Sequence, residues 1–138
     1  NVIETNIDNM NPEIYPYVID KLLENDALDV YLTNIIMKKG RPAVKLTVLA
    51  DLKNTEKLSK IIFDETTTLG IRIYEAKRKK LDREIKTIKT KYGSVRLKIS
   101  KSGNEIKNAM PEYEDCARIA KARKVPIKKV YEEARKSF

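Results

Sequence analysis

The chain has 138 residues, 41% hydrophobic and 36% charged, with 29 Lys and Arg against 20 Asp and Glu for a formal net charge of +9. It holds one cysteine, Cys116, and no histidine. This is enough apolar material for one domain, or one domain with a small appendage, and it excludes an internal disulfide, Ser-His and Cys-His nucleophile pairs, and imidazole ligation of nickel, zinc or copper.

Residues Val2 to Ile7 read as a strand. Asn11-Pro12 then starts a helix, with Asn as cap and Pro in the first helical place. The helix runs to about Asn25 on an apolar stripe of Ile14, Val18 and Leu22. Pro16 predicts an irregular opening turn. Leu28 to Met37 alternates as a second strand, and Ala43 to Ala50 as a third. The basic turn Lys38-Lys39-Gly40-Arg41-Pro42 joins them as a hairpin. Asn54 or Thr55 caps a second helix whose core face is Leu58, Ile61, Ile62 and Leu69, and Gly70 ends it. Ile71 to Tyr74 resumes a strand. The order strand, helix, strand, strand, helix, strand predicts an α+β, ferredoxin-like split βαβ fold, an antiparallel sheet with both helices on one face.

Beyond this lobe, Lys77 to Lys80 is a charge run. Ile85 to Lys91 and Val95 to Ile99 form a hairpin about Tyr92-Gly93-Ser94, and Ile106 to Met110 adds a short strand. Pro111 opens a helix to about Lys124 and Pro126 opens another, with Ile127, Val130, Tyr131 and Ala134 inward. The expected organisation is a ferredoxin-like lobe over residues 1–78 and a basic hairpin plus two-helix sub-lobe over 79–138, packed as one compact unit. From Lys77 to Lys101 there are eleven cations and two acids, so the whole excess charge sits in this segment. No apolar run nears the roughly 20 residues of a bilayer-spanning helix, and a lone Cys fits a reducing compartment, so a cytoplasmic protein is expected. The first residue is Asn, and the chain is expected to begin inside a longer polypeptide.

Four places go beyond scaffold. Lys38, Lys39 and Arg41 set three cations on a tight turn, with Gly40 where backbone must bend or approach a ligand. That suits a triphosphate, although a solvated hairpin tip carries lysines too. Thr66, Thr67 and Thr68, followed by Gly70 and Arg72, offer hydroxyls and a forked cation to phosphate or sugar, or simply a helix cap. Glu112 and Asp115 lie in a helix's first turn, where acids suit the dipole or ligate a hard cation. Asp8, in the turn after the first strand, caps that turn or holds a divalent cation. No Walker loop, GxGxxG or zinc pattern occurs, so a nucleotide site must be assembled from separated turns.

Six stretches taken in series go further: Asn6-Ile-Asp-Asn-Met-Asn-Pro-Glu13, Tyr15-Pro-Tyr17, Leu28-Asp-Val-Tyr-Leu-Thr33, Ile35-Ile-Met-Lys-Lys-Gly-Arg-Pro42, Glu65-Thr-Thr-Thr-Leu-Gly-Ile-Arg72 and Pro111-Glu-Tyr-Glu-Asp-Cys116. Together they resemble the C-terminal region of the LarC family, the nickel insertases of nickel-pincer nucleotide cofactor biosynthesis. The resemblance implies a CTP-dependent insertase (a cyclometallase) that uses Mg or Mn and places nickel, its substrate metal, into pyridinium-3,5-bisthiocarboxylic acid mononucleotide. It implies that the C-terminal region binds CTP, forms a homo-oligomer (trimer or hexamer), and works with an N-terminal region absent here. On this sequence it points to Lys38, Lys39, Gly40, Arg41, Thr66, Thr67, Thr68, Gly70 and Arg72 for the nucleotide, and to Asp8, Glu112 and Asp115 for the metal. The alternatives are a basic nucleic-acid-binding module or an oligomerisation module. Against nucleic acid, Tyr92 is the lone aromatic in the basic segment, and base-stacking platforms use more.

Overall fold

The structure, a computed structural model, describes residues 1–137. The chain folds as two compact units, Asn1–Lys77 and from Arg78 onward.

The first unit runs β1 (Val2–Ile7), α1 (Tyr15–Glu24), β2 (Asp29–Met37), β3 (Arg41–Leu49), α2 (Thr55–Glu65) and β4 (Arg72–Tyr74). Its sheet has the order β2-β3-β1-β4 with every pairing antiparallel, the ferredoxin-like topology expected from the element order. Alternation explains which residues are inside. The register Ile3↔Val48 and Thr5↔Leu46 puts these side chains on one face. Ile3, Leu46 and Val48 meet Val18 and Leu22 of α1 and Leu58 and Ile62 of α2 in a single buried cluster. Asn11 caps as predicted, its side chain accepting from the Glu13 N–H at 3.1 Å, and a 3-10 turn over Pro12–Ile14 is the irregular opening.

Two expectations at the end of α2 fail. The helix stops at Glu65, well before Gly70, and Leu69 is fully exposed instead of joining the core. The cause is chemical. The Thr66 hydroxyl donates to the Ile62 carbonyl at 2.7 Å and accepts the Thr68 N–H at 3.3 Å, closing a side-chain turn that competes with helix. Ile14, read as core, is also exposed.

The second unit is a three-stranded antiparallel sheet, β5 (Asp82–Thr90), β6 (Gly93–Ser102) and β7 (Glu105–Pro111), followed by α3 (Tyr113–Arg123) and α4 (Ile127–Lys136). Val95, Leu97 and Ile99 pack with Cys116 and Ile119 of α3 and Val130 and Ala134 of α4. The hairpin pairs Thr90 with Gly93, so its turn is Lys91-Tyr92, one residue earlier than expected. Gly93, at φ 145°, takes a backbone that side chains disfavour. Pro111 ends β7 and Glu112 caps α3, so the proline closes a strand where a helix start was predicted.

Because Leu46 is fully buried between both helices, Leu46→Ala should lower unfolding free energy by about 2–4 kcal/mol. In urea the midpoint should fall with an unchanged slope.

Candidate functional site

Strand direction decides where the charged turns gather. Since β1 is antiparallel to both β3 and β4, the C-terminal end of β1 lies beside the N-terminal ends of its two neighbours. The loop that follows β1 therefore meets the basic hairpin on one side and the Thr66–Arg72 segment on the other. Arg41 reaches Asp8 from one flank, Nη1 to Oδ2 at 3.2 Å. From the other flank, Arg72 donates through Nη2 to Asn6 Oδ1 at 2.9 Å, and the Thr67 hydroxyl donates to Asn9 Oδ1 at 2.7 Å. Two arginines more than thirty residues apart in sequence thus bond residues two apart, Asn6 near the end of β1 and Asp8 in the loop after it.

Each corner has its own construction. In the hairpin, Lys39 and Gly40 both adopt left-handed backbone, φ 64° and 67°. For Lys39 this costs about 1–2 kcal/mol, which the closed β2–β3 register sustains, Met37 pairing with Arg41 across the turn. A Cβ placed on Gly40 would meet open space, so the left-handed backbone, and not crowding, explains this glycine. Lys38 and Lys39 are exposed, and their side chains make no bond to any described residue. They are the uncommitted cations of the site.

The threonine corner is tied down. The Thr5 and Thr68 hydroxyls lie 2.5 Å apart and each 2.9 Å from the Gly70 carbonyl, so one donates to the other while the other donates to the carbonyl. With Thr66 turned onto the helix end, these hydroxyls shape the loop more than they offer donors outward. Beside them, on the sheet face away from the helices, burial would raise the Glu4 carboxyl. Hydrogen bonds from Lys45, at 3.2 Å, and Tyr74, with the Arg72 charge 3.8 Å away, instead hold it below the usual carboxylate range. Sequence reading missed Glu4, Asn6, Asn9 and Lys45 as partners. The cross-strand pairs Glu4↔Arg72 and Asn6↔Lys45 reveal Glu4, Asn6 and Lys45, and need the register, while Asn9 is met by Thr67 from a neighbouring loop.

Of the three carboxylates read as metal ligands, Asp8 lies in this loop, and Glu112 and Asp115 lie in the second unit. Glu112 pairs with Lys98 at 3.1 Å. Asp115 accepts from Arg96 three times, from Nε at 2.9 Å, from Nη2 at 3.0 Å and from the backbone N–H at 2.9 Å. Arg118 adds its charge at 3.7 Å. The Arg96 hydrogen bonds outweigh burial and lower the Asp115 pKa to about 2. Among the described residues no group of three or more His, Cys, Asp or Glu side chains is arranged to hold a metal ion. No described helix is long and apolar enough to cross a membrane. Cys116 is buried, which pushes its thiol pKa up, away from nucleophilic use.

The family model described as nickel insertion protein matches residues 1–131. The chain is 52% identical over 137 residues to a pyridinium-3,5-bisthiocarboxylic acid mononucleotide nickel insertion protein of Acetivibrio thermocellus, covering 99% of this chain and 33% of the relative. It is 46% identical over 131 residues to a protein of the same description from Desulfitobacterium hafniense, covering 95% of this chain and 33% of the relative. A solved structure described as the C-terminal domain of a cyclometallase involved in the synthesis of the NPN cofactor of lactate racemase, in its apo form, superposes with a TM-score of 0.92. It is 40% identical, with 99% of this chain and 94% of that one covered. The chain spans about a third of the length of the curated relatives it matches.

The Arg96–Asp115 pairing makes a prediction with a definite sign. A depressed carboxylate pKa contributes stability that is complete above the unfolded value near 4 and is lost as pH falls towards about 2. Asp115→Asn should therefore cost about 1–2 kcal/mol at neutral pH. The difference from the unmutated chain should shrink as denaturant unfolding is repeated from pH 5 down to pH 2.

Proposed function

The chain belongs to the nickel insertion protein family, and on that premise we propose that it is the CTP-binding C-terminal region of an enzyme that inserts nickel into pyridinium-3,5-bisthiocarboxylic acid mononucleotide. Relatives of that description support the substrate. What supports the nucleotide reading is that Arg72, through Asn6 near the end of β1, and Arg41, through Asp8 in the loop that follows, flank the same end of the strand, beside two lysines whose side chains have no partner among the described residues. A triphosphate presents several charged oxygens in a short span. Arg forks and Lys ammoniums bond such oxygens with charge-assisted hydrogen bonds.

In this reading Lys38 and Lys39 take the outer phosphate oxygens, and the left-handed turn through Gly40 presents them together. Arg41 and Arg72 turn from Asp8 and Asn6 to the phosphates. Thr66, Thr67, Thr68 and Gly70 fix the loop that positions Arg72. The donor set fits Mg or Mn bound through the nucleotide. Such ions take one or two carboxylates plus phosphate oxygens, and Asp8 keeps one oxygen outside its bond to Arg41. A divalent cation held there by Asp8 would supply positive charge to offset that of the phosphates. Glu112 and Asp115 would first have to leave Lys98 and Arg96. The proposal extends to a cytoplasmic homo-oligomer, trimer or hexamer, working with an N-terminal region. Exposed Tyr31, Leu32 and Ile36 on edge strand β2 support the assembly.

A second reading, nucleic-acid binding, rests on Arg78, Lys79, Lys80 and Arg83. They line one open depression with Ser100, and none has an ion-pair partner among the described residues.

Titration calorimetry separates the two. CTP with Mg should bind in preference to ATP and GTP, and Arg41→Ala or Arg72→Ala should each weaken it about 10-fold or more. Absence of binding, or equal binding of all three nucleotides, sinks the CTP reading. Steeply salt-dependent binding of RNA or DNA favours the second.

A further inference from the structure

Within the second unit, where the turn between β5 and β6 meets α3, lies a cavity of about 370 Å³. That is the size range of small-ligand pockets, which combine apolar walls with a few placed polar groups. Tyr92 and Gly93 line it from the turn, and Arg118, Ile119, Ala122 and Arg123 line it from α3. No carboxylate is among these residues, and none of them belongs to the hairpin corner of the first unit.

Both arginines have donors to spare. Arg123 donates through Nε to the Tyr92 carbonyl at 3.2 Å, which ties it to the turn, and its terminal nitrogens have no partner among the described residues. Arg118 has one acidic neighbour, Asp115, whose Oδ1 lies 3.7 Å from its Nη2. That carboxylate already accepts three hydrogen bonds from Arg96, so the Arg118 fork is left largely open. A carboxylate fills one such fork. A phosphate monoester, with about two charges and three terminal oxygens, can engage two. The remaining lining suits a flat ring. Ile119 is buried and supplies an apolar wall. A Cβ on Gly93 would lie 3.4 Å from Ile119 Cδ1, so a larger side chain there would be built over that wall, and glycine leaves it clear. The Tyr92 ring is steadied by Lys91, whose Nζ lies 5.1 Å from the ring centroid and pairs with Glu133 of α4 at 3.1 Å. An aromatic side chain held in place beside an apolar wall is a stacking surface for a heterocycle.

We propose that this cavity binds an aromatic mononucleotide, with the phosphate monoester between Arg118 and Arg123 and the ring against Tyr92 and Ile119. It is a second site, made of other residues than the one proposed for the triphosphate. The acceptor in the proposed nickel insertion is itself a pyridinium mononucleotide, and the choice of a pyridinium as first probe rests on that reading. Both arginines are exposed, so solvent screens each contact and single substitutions have modest effects.

The test titrates nicotinic acid mononucleotide, nicotinic acid riboside, CMP and inorganic phosphate into the unmutated chain and into Arg118→Ala, Arg123→Ala and Ala122→Leu, with circular dichroism to confirm folding. Nicotinic acid mononucleotide should bind about 10-fold or more tighter than the riboside or phosphate. Each arginine variant should weaken the mononucleotide about 3- to 5-fold and leave the riboside unchanged. Ala122→Leu, which fills the cavity and keeps both charges, should weaken mononucleotide and riboside alike. If neither mononucleotide binds, or if none of the three variants changes their affinity, the site is overturned. Phosphate that binds as tightly as the mononucleotides leaves an anion site without a ring and overturns the assignment. So does a single-stranded oligonucleotide that binds more tightly, responds to the same variants and loses affinity steeply with salt. CMP that binds and responds to the three variants where nicotinic acid mononucleotide does not bind supports the cavity and counts against the nickel-insertion reading that chose the pyridinium.

Discussion

Everything in the first unit follows from the placement of β1 between β3 and β4, antiparallel to both. A central strand with two opposed neighbours delivers its outgoing loop to the incoming ends of both. Its inner residues, Ile3 above all, tie the two helices to the sheet, and its outer residues, Glu4 and Asn6, collect cations from either side. One strand of six residues thus joins the core to the candidate site.

Much of this was legible in the residues. Alternation in Ile3–Ile7 and Val44–Val48, the Asn11-Pro12 helix start, and the spacing of Val18, Leu22, Leu58 and Ile62 each follow from a single physical rule. The misreadings have equally local causes. Leu69 matched the helical period, but three threonines ahead of it offered the backbone a competing set of hydrogen bonds. Pro111 looked like a helix opener because prolines often are. At the end of an edge strand, though, a residue without an N–H is equally at home.

The candidate site divides in the same way. Residue type alone singled out Lys38, Lys39, Arg41, Arg72 and Asp8. That Asp8 and Asn6 accept from the arginines, and that Glu4 sits among Lys45, Arg72 and Tyr74, depends on strand register, which no local pattern encodes.

On the proposed nucleotide reading, the bond from Arg41 to Asp8 would act as a filter. An anion arriving at this guanidinium does not find a bare charge; it must displace a carboxylate already seated there. Chloride or a singly charged ester gains little by the exchange. A species with several charged oxygens can outbid the resident acid, and if it brings its own divalent ion, the evicted aspartate has somewhere to go. In the proposed nucleotide site the ion pair would set a threshold, a modest one because the Arg41 side chain is 58% exposed, favouring densely charged, metal-escorted ligands over simple salt.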